Sequence, residues 1–323
     1  MKTLIQRPRR LRINSHLRAL VSETTVSSKH LIQPLFIKEG LKTKKPIPSM
    51  PGQYQWSLKD CALEAKSCYQ AGIPAVILFG IPQKKNSQGS YAHAANGIIQ
   101  KAIDAIKNKC PELLVISDVC LCEYTSHGHC GLINKKGSVD NDATLDILSQ
   151  VAVSHAKAGA DMVAPSDMMD GRIGAIRAAL DTKGYSNTPI MSYADKYASP
   201  LYATFRDAAR SKIQFGDRKD YQMDYANAKE ALREARLDEK QGADILLVKP
   251  ALFYLDIISK ISQASSLPVA AYQVSGEYMM INALSQNAGY SKKELIHESF
   301  VAIKRAGAQM IVSYFAKEWA RLV

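Results

Sequence analysis

Four times the chain repeats one short phrase, in which a glycine ends a helical stretch and an apolar run follows at once. The copies are QAGIPAVILFG at 70–80, KAGADMVAPSD at 157–167, KQGADILLVKP at 240–250 and RAGAQMIVSYF at 305–315. Glycine just past a helix end adopts the left-handed conformation that stops the helix, and the run after it reads as a strand buried on both faces. Four further runs have the same character: LIQPLFI at 31–37, LLVISDVC at 113–120, PIMSYAD at 189–195 and PVAAYQV at 268–274. Helical patterns fill most intervals, including 57–70 and 144–158, and Ser291 with Glu294 reads as a capping box opening a helix to about Arg305. Eight strands alternating with helices imply an α/β fold with a parallel sheet. The number eight favours a closed (β/α)8 TIM barrel over an open doubly wound sheet.

No low-complexity linker divides the 323 residues, so 29–323 read as one catalytic barrel domain behind an extended N-terminal arm over 1–28. The net charge of +12 invites a nucleic-acid partner. Six of those charges, however, are Lys2, Arg7, Arg9, Arg10, Arg12 and Arg18 of the arm, which has no aromatic residue to stack on bases. No apolar run approaches the ~18 to 20 residues of a membrane span, and the N-terminus lacks the apolar core of a secretory signal. Neither nucleic acid nor membrane is therefore an expected partner. Six cysteines are too few for a disulfide scaffold, and a reducing, cytoplasmic location fits them best.

In barrels the chemistry lies at the carboxyl ends of the strands. Those ends carry Cys120, Ser166 with Asp167, Asp195 with Lys196, Lys249, Ser275 and Tyr314. Lys196 and Lys249 end adjacent strands, about 4.8 Å apart. Mutual repulsion and burial should depress both lysines and free an amine to attack a ketone as a Schiff base. The stretch DVCLCEYTSHGHCG holds Cys120, Cys122 and Cys130, with His127 and His129 between them as alternative ligands. Three thiolates favour zinc and leave a fourth position open, as in catalytic sites. A disulfide or an iron–sulfur cluster fits less well, the cluster wanting a fourth cysteine for which only remote candidates such as Cys110 exist. Residues 201–222 hold Arg206, Arg210, Lys212, Arg218 and Lys219, a basic segment suited to a lid that clamps a carboxylate. Two other classes compete: a one-lysine aldolase or lyase barrel, and a basic RNA-binding protein that uses its arm and zinc.

Taken together, RPRRLR, DVCLCEYTSHGHCG, APSDMMDGR, SYADKYAS, FRDAA, GDRKDYQ, LVKP and YQVSGEY resemble the delta-aminolevulinic acid dehydratase (porphobilinogen synthase) family, in order and along essentially the whole chain. The resemblance implies a TIM-barrel enzyme of tetrapyrrole biosynthesis that condenses two 5-aminolevulinate molecules into porphobilinogen, losing two waters. It further implies Schiff bases on Lys249 and Lys196 and catalytic zinc on Cys120, Cys122 and Cys130. Arg206, Arg218 and Gln222 match contacts to one substrate carboxylate, and Ser275 and Tyr314 contacts to the other. Ser166 and Asp167 match polar groups of the first substrate site, and Asp118 matches a proton-transfer partner near the amines. Glu234 matches an allosteric magnesium position, and a homo-octamer built from arm-embracing dimers is the implied assembly. LYATFR departs from the family's usual Gly-Pro before Phe.

Overall fold

A computed structural model describes residues 5–322 of the chain, so Lys2 of the basic arm lies outside the described residues. Eight parallel strands form its centre: β1 (Leu31–Lys38), β2 (Ala75–Ile81), β3 (Leu114–Val119), β4 (Met162–Pro165), β5 (Met191–Lys196), β6 (Ile245–Lys249), β7 (Val269–Gln273) and β8 (Met310–Ser313). Neighbours pair in sequence order from β1 to β4 and from β5 to β8, and β8 returns to β1. A single parallel bridge, Val163 to Ile190, joins β4 to the start of β5 and nearly completes the ring. This is the barrel expected from the alternation of runs. Only Lys38, Leu114, Met162 and Met310, all at strand ends, are not buried, which is why the runs read as continuously apolar.

Helices connect the strands on the outside, beginning with Leu58–Gln70 between β1 and β2. The four phrase glycines, Gly72, Gly159, Gly242 and Gly307, all take positive φ, from +82° to +118°, where side chains are strained. The helix Lys292–Arg305 starts where expected, with the Ser291 hydroxyl accepting from the Glu294 N–H at 3.4 Å. Before the barrel, a turn at Pro8–Arg12 and a short helix at Ser15–Leu20 bury none of their residues. Among the described residues no helix is long and apolar enough to cross a membrane.

Candidate active site

The mouth of the barrel is shaped by an irregularity in β5. Ser192 bonds outward to Asp238 of the helix Lys229–Lys240, and Tyr193 faces the barrel interior against Tyr272. Strict alternation would next bring Asp195 inward. Instead the pairing with β6 shifts register between Leu246 and Val248, so that β5 spends one extra residue and Lys196 comes opposite Lys249. A bulge re-aims side chains in this way. Asp195 turns to the outer side, near Asp238 and Glu234, where burial holds its carboxyl well above the usual range.

Both lysines are buried, at 5 % and 4 % exposure. Lys249 Nζ lies within 4.1–5.3 Å of the ring centres of Tyr193, Tyr202, Phe205 and Tyr272. Burial in this cage, with Lys196 as a like charge beside it, lowers Lys249 to about 7. Lys196 departs from the expectation that both would be depressed. Burial lowers it, but the sulfur cluster, led by the Cys130 thiolate, outweighs burial and holds it above its ordinary value. Its Nζ donates to the Ser166 carbonyl.

Cys120 follows β3 directly, and the loop after it returns Cys130 to the same place. Their sulfurs and that of Cys122 lie within 4.8 Å of one another, all buried. Hydrogen bonds from Cys120 and Cys122 hold Cys130 well below the usual thiol range, while Cys120 is pushed well above it. Three convergent sulfurs at this spacing suit a soft divalent cation with an open fourth position. The histidines turn away to other work. His127 contacts the Ser87 carbonyl at 3.1 Å, and His129 contacts the Tyr221 hydroxyl at 3.2 Å and the Phe215 carbonyl at 3.0 Å. His129 fastens the lid and His127 the loop at Ser87, and neither joins the sulfurs.

Asp118 and Glu123 add two buried carboxyls beside this cluster. Burial and the neighbouring Glu123 raise Asp118 to about 8, and one of its oxygens has no hydrogen-bond partner. Glu123 Oε2 sits 3.2 Å from the Cys122 sulfur. Sequence reasoning missed Glu123 and the aromatic cage, although Glu123 lies within the cysteine motif itself.

The segment after β5 folds over this mouth. Its helix Ala203–Ala208 packs Phe205 against Phe36 and Phe79, with ring centres 5.4 and 5.1 Å away. Arg218 donates to the carbonyls of Gly128 at 2.8 Å and Ser211 at 2.9 Å. Beneath the lid the lysines, Asp118, Ser166, Arg206 and Arg218 share a cavity of only ≈ 10 Å³. That is about the room of one water molecule, so this is a closed conformation.

The remaining expected contacts divide. Arg206 and Arg218 reach the lysine cavity, whereas Gln222 lines an outer cavity of ≈ 740 Å³ behind the lid with both amide atoms unpartnered. The Ser275 hydroxyl accepts from the Phe205 N–H at 3.0 Å and donates to the Leu201 carbonyl at 3.2 Å, so it anchors the lid. The Tyr314 hydroxyl meets that of Tyr272 at 3.0 Å. Asp167 accepts from the Met169 N–H at 2.8 Å and lies 4.0 Å from Arg172, away from the cavity. Glu234 is remote from the lysines, in a polar cavity of ≈ 630 Å³ with Asp170, Asp220, Asp224 and Glu230.

This arrangement of lysines and sulfurs coincides with strong similarity to known proteins. The delta-aminolevulinic acid dehydratase family model matches residues 5–322. A delta-aminolevulinic acid dehydratase of Methanothermus sociabilis is 54% identical over 318 residues, covering 98% of both chains. One from Bacillus subtilis is 50% identical over 321 residues, covering 99% of both. The crystal structure of the Toxoplasma gondii enzyme in complex with its reaction product porphobilinogen superposes with a TM-score of 0.97 at 43% identity, over 99% of this chain and 92% of that one. The chain therefore belongs to the delta-aminolevulinic acid dehydratase family.

Proposed function

We propose that this chain is a porphobilinogen synthase, condensing two 5-aminolevulinate molecules to porphobilinogen with loss of two waters. The observation that carries the proposal is the pairing of two buried lysines, opposite each other on adjacent strands, beside three convergent sulfurs. A one-lysine aldolase needs neither the second lysine nor the sulfurs. Colorimetric detection of porphobilinogen after incubation with 5-aminolevulinate tests it directly. No product from metal-replete protein would refute it.

In the proposed reaction each lysine amine attacks a substrate ketone and expels one water, giving two Schiff bases. A carbon–carbon bond and a carbon–nitrogen bond between the substrates then return both lysines as free amines, and loss of a carbon-bound proton completes the pyrrole. Lys249 is poised for the first task because its cage destabilises the ammonium. Asp118, protonated near neutrality, stands where protons must be exchanged, and the Ser166 carbonyl accepts a hydrogen bond from the Lys196 amine. Arg206 and Arg218 supply guanidinium groups for one substrate carboxylate, and Ser275 and Tyr314 supply hydroxyls for the other. Cys120, Cys122 and Cys130 would hold a zinc ion, which when bound supplies a Lewis acid beside the second substrate's amine. Glu234, in its acidic cavity, is the proposed site of an allosteric magnesium ion.

Two expected outcomes follow from these assignments. With the Lys249 ammonium as the inactive form, kcat/KM should fall about tenfold per unit as pH drops below about 7. A pH-independent rate between 5 and 8 would contradict the assignment. Arg218→Met should raise KM roughly 10- to 100-fold, the worth of a charge-assisted carboxylate contact; an unchanged KM would remove Arg218 from substrate binding.

Assembly as a homo-octamer of arm-embracing dimers in the cytoplasm is part of the same proposal. Its support is the arm's exposed apolar surface, with Ile5 87%, Ile13 73% and Leu20 81% exposed and nothing among the described residues to cover them.

A further inference from the structure

We propose that Glu277 is a positioning residue for Lys249, acting through the backbone of two loops without touching substrate. The proposal rests on the reading of Lys249 as a Schiff-base lysine. Glu277 is wholly buried and is the third residue of the helix Ser275–Asn287. Its carboxylate accepts three backbone N–H groups, from Val274 at 2.6 Å, Leu252 at 2.6 Å and Ala251 at 3.1 Å. A glutamate at this position of a helix reaches back to the N-cap N–H, and that accounts for the Val274 bond. It does not account for the other two. Ala251 and Leu252 belong to the loop leaving β6, two and three residues beyond Lys249, and do nothing for the helix that carries Glu277.

One carboxylate therefore ties the end of β6 to the end of β7. The connection continues, because Ser275 at the start of the same helix holds the lid through Phe205 and Leu201. Lys249 Nζ rests among aromatic rings, and among the described residues no hydrogen bond from it fixes its direction. Its placement is thus set by where its backbone is held. A buried carboxylate with three amide donors makes a firm clamp, since charge-assisted bonds are stronger than neutral ones and an unfilled buried acceptor is costly.

The test uses the full chain loaded with zinc, as wild type, Glu277→Gln and Glu277→Asp. Glutamine keeps the shape but turns one oxygen into a donor that faces an N–H, and aspartate keeps the charge but falls short of one loop. Each protein is assayed for kcat and KM, then incubated with 5-aminolevulinate, reduced with borohydride and digested to quantify label on Lys249 and Lys196. The expected result is a kcat lowered on the order of 10²-fold with KM changed far less, as for a small misplacement of a reacting group. The Lys249 to Lys196 labelling ratio should fall alongside it, by about tenfold. A merely structural loss would lower both labels together, so an unchanged ratio overturns the proposal. Absence of Lys249 label in the wild type would instead sink the Schiff-base reading, and this proposal with it. If neither variant folds, amide exchange in the wild type decides: protection of Ala251, Leu252 and Val274 supports the clamp, and exchange at free-peptide rates overturns it.

Discussion

Lys249→Met is expected to abolish porphobilinogen formation, lowering kcat by about four orders of magnitude or more, while the protein stays folded. The loss is that of a nucleophile, and no neighbouring amine can take its place without forfeiting its own substrate. The preserved fold follows from the cage. Four aromatic rings surround Nζ, and burial already disfavours the ammonium, so a methionine of similar length meets an environment at least as favourable. Thermal unfolding should show a midpoint unchanged or raised. Lys196→Met is the informative contrast. It removes a donor to the Ser166 carbonyl and a cation beside the Cys130 thiolate, so both activity and stability should fall. Retained activity in Lys249→Met, or equal stability losses in the two variants, would contradict this assignment.

Stripping the metal is the second large effect. A chelator that empties the three-sulfur site is expected to reduce turnover below about one per cent, with recovery on adding zinc but not magnesium. The donor set makes this selective, since three thiolates prefer a soft ion over a hard one. Elemental analysis should find zinc in the wild type and its loss in Cys122→Ala. Full activity in protein shown to be zinc-free would remove Cys120, Cys122 and Cys130 from catalysis.

The barrel was readable in the sequence because its determinants are local. A helix stop needing positive φ and a strand buried on both faces each leave a mark within about ten residues, and the QAG, KAG, KQG and RAG phrases carry both marks. The cysteines were readable through spacing for the same reason. The bulge in β5 was not, because inserting one residue into a strand changes which side chains face inward without altering composition. It is what brings Lys196 rather than Asp195 to the mouth. The expectation for the Lys196 charge missed because it weighed the neighbouring lysine and burial but not the sulfurs arriving from the loop after β3. His127 and His129 resembled ligands in one dimension and proved to face Ser87, Tyr221 and Phe215, partners that lie 40 to 92 residues away in sequence and meet them only in the fold. Tyr193, Tyr202, Phe205 and Tyr272 come from three separate segments, and their convergence on one amine is a property of the closed barrel alone.

The measurement that bears most directly on the two-lysine account is borohydride trapping of the wild-type enzyme during turnover of 5-aminolevulinate, followed by peptide mapping. Reduction of a Schiff base leaves a stable secondary amine on the lysine that formed it. The expected result is substrate-derived mass on Lys249 and on Lys196, and on no other lysine of the chain. Porphobilinogen production with neither Lys249 nor Lys196 labelled would contradict the account.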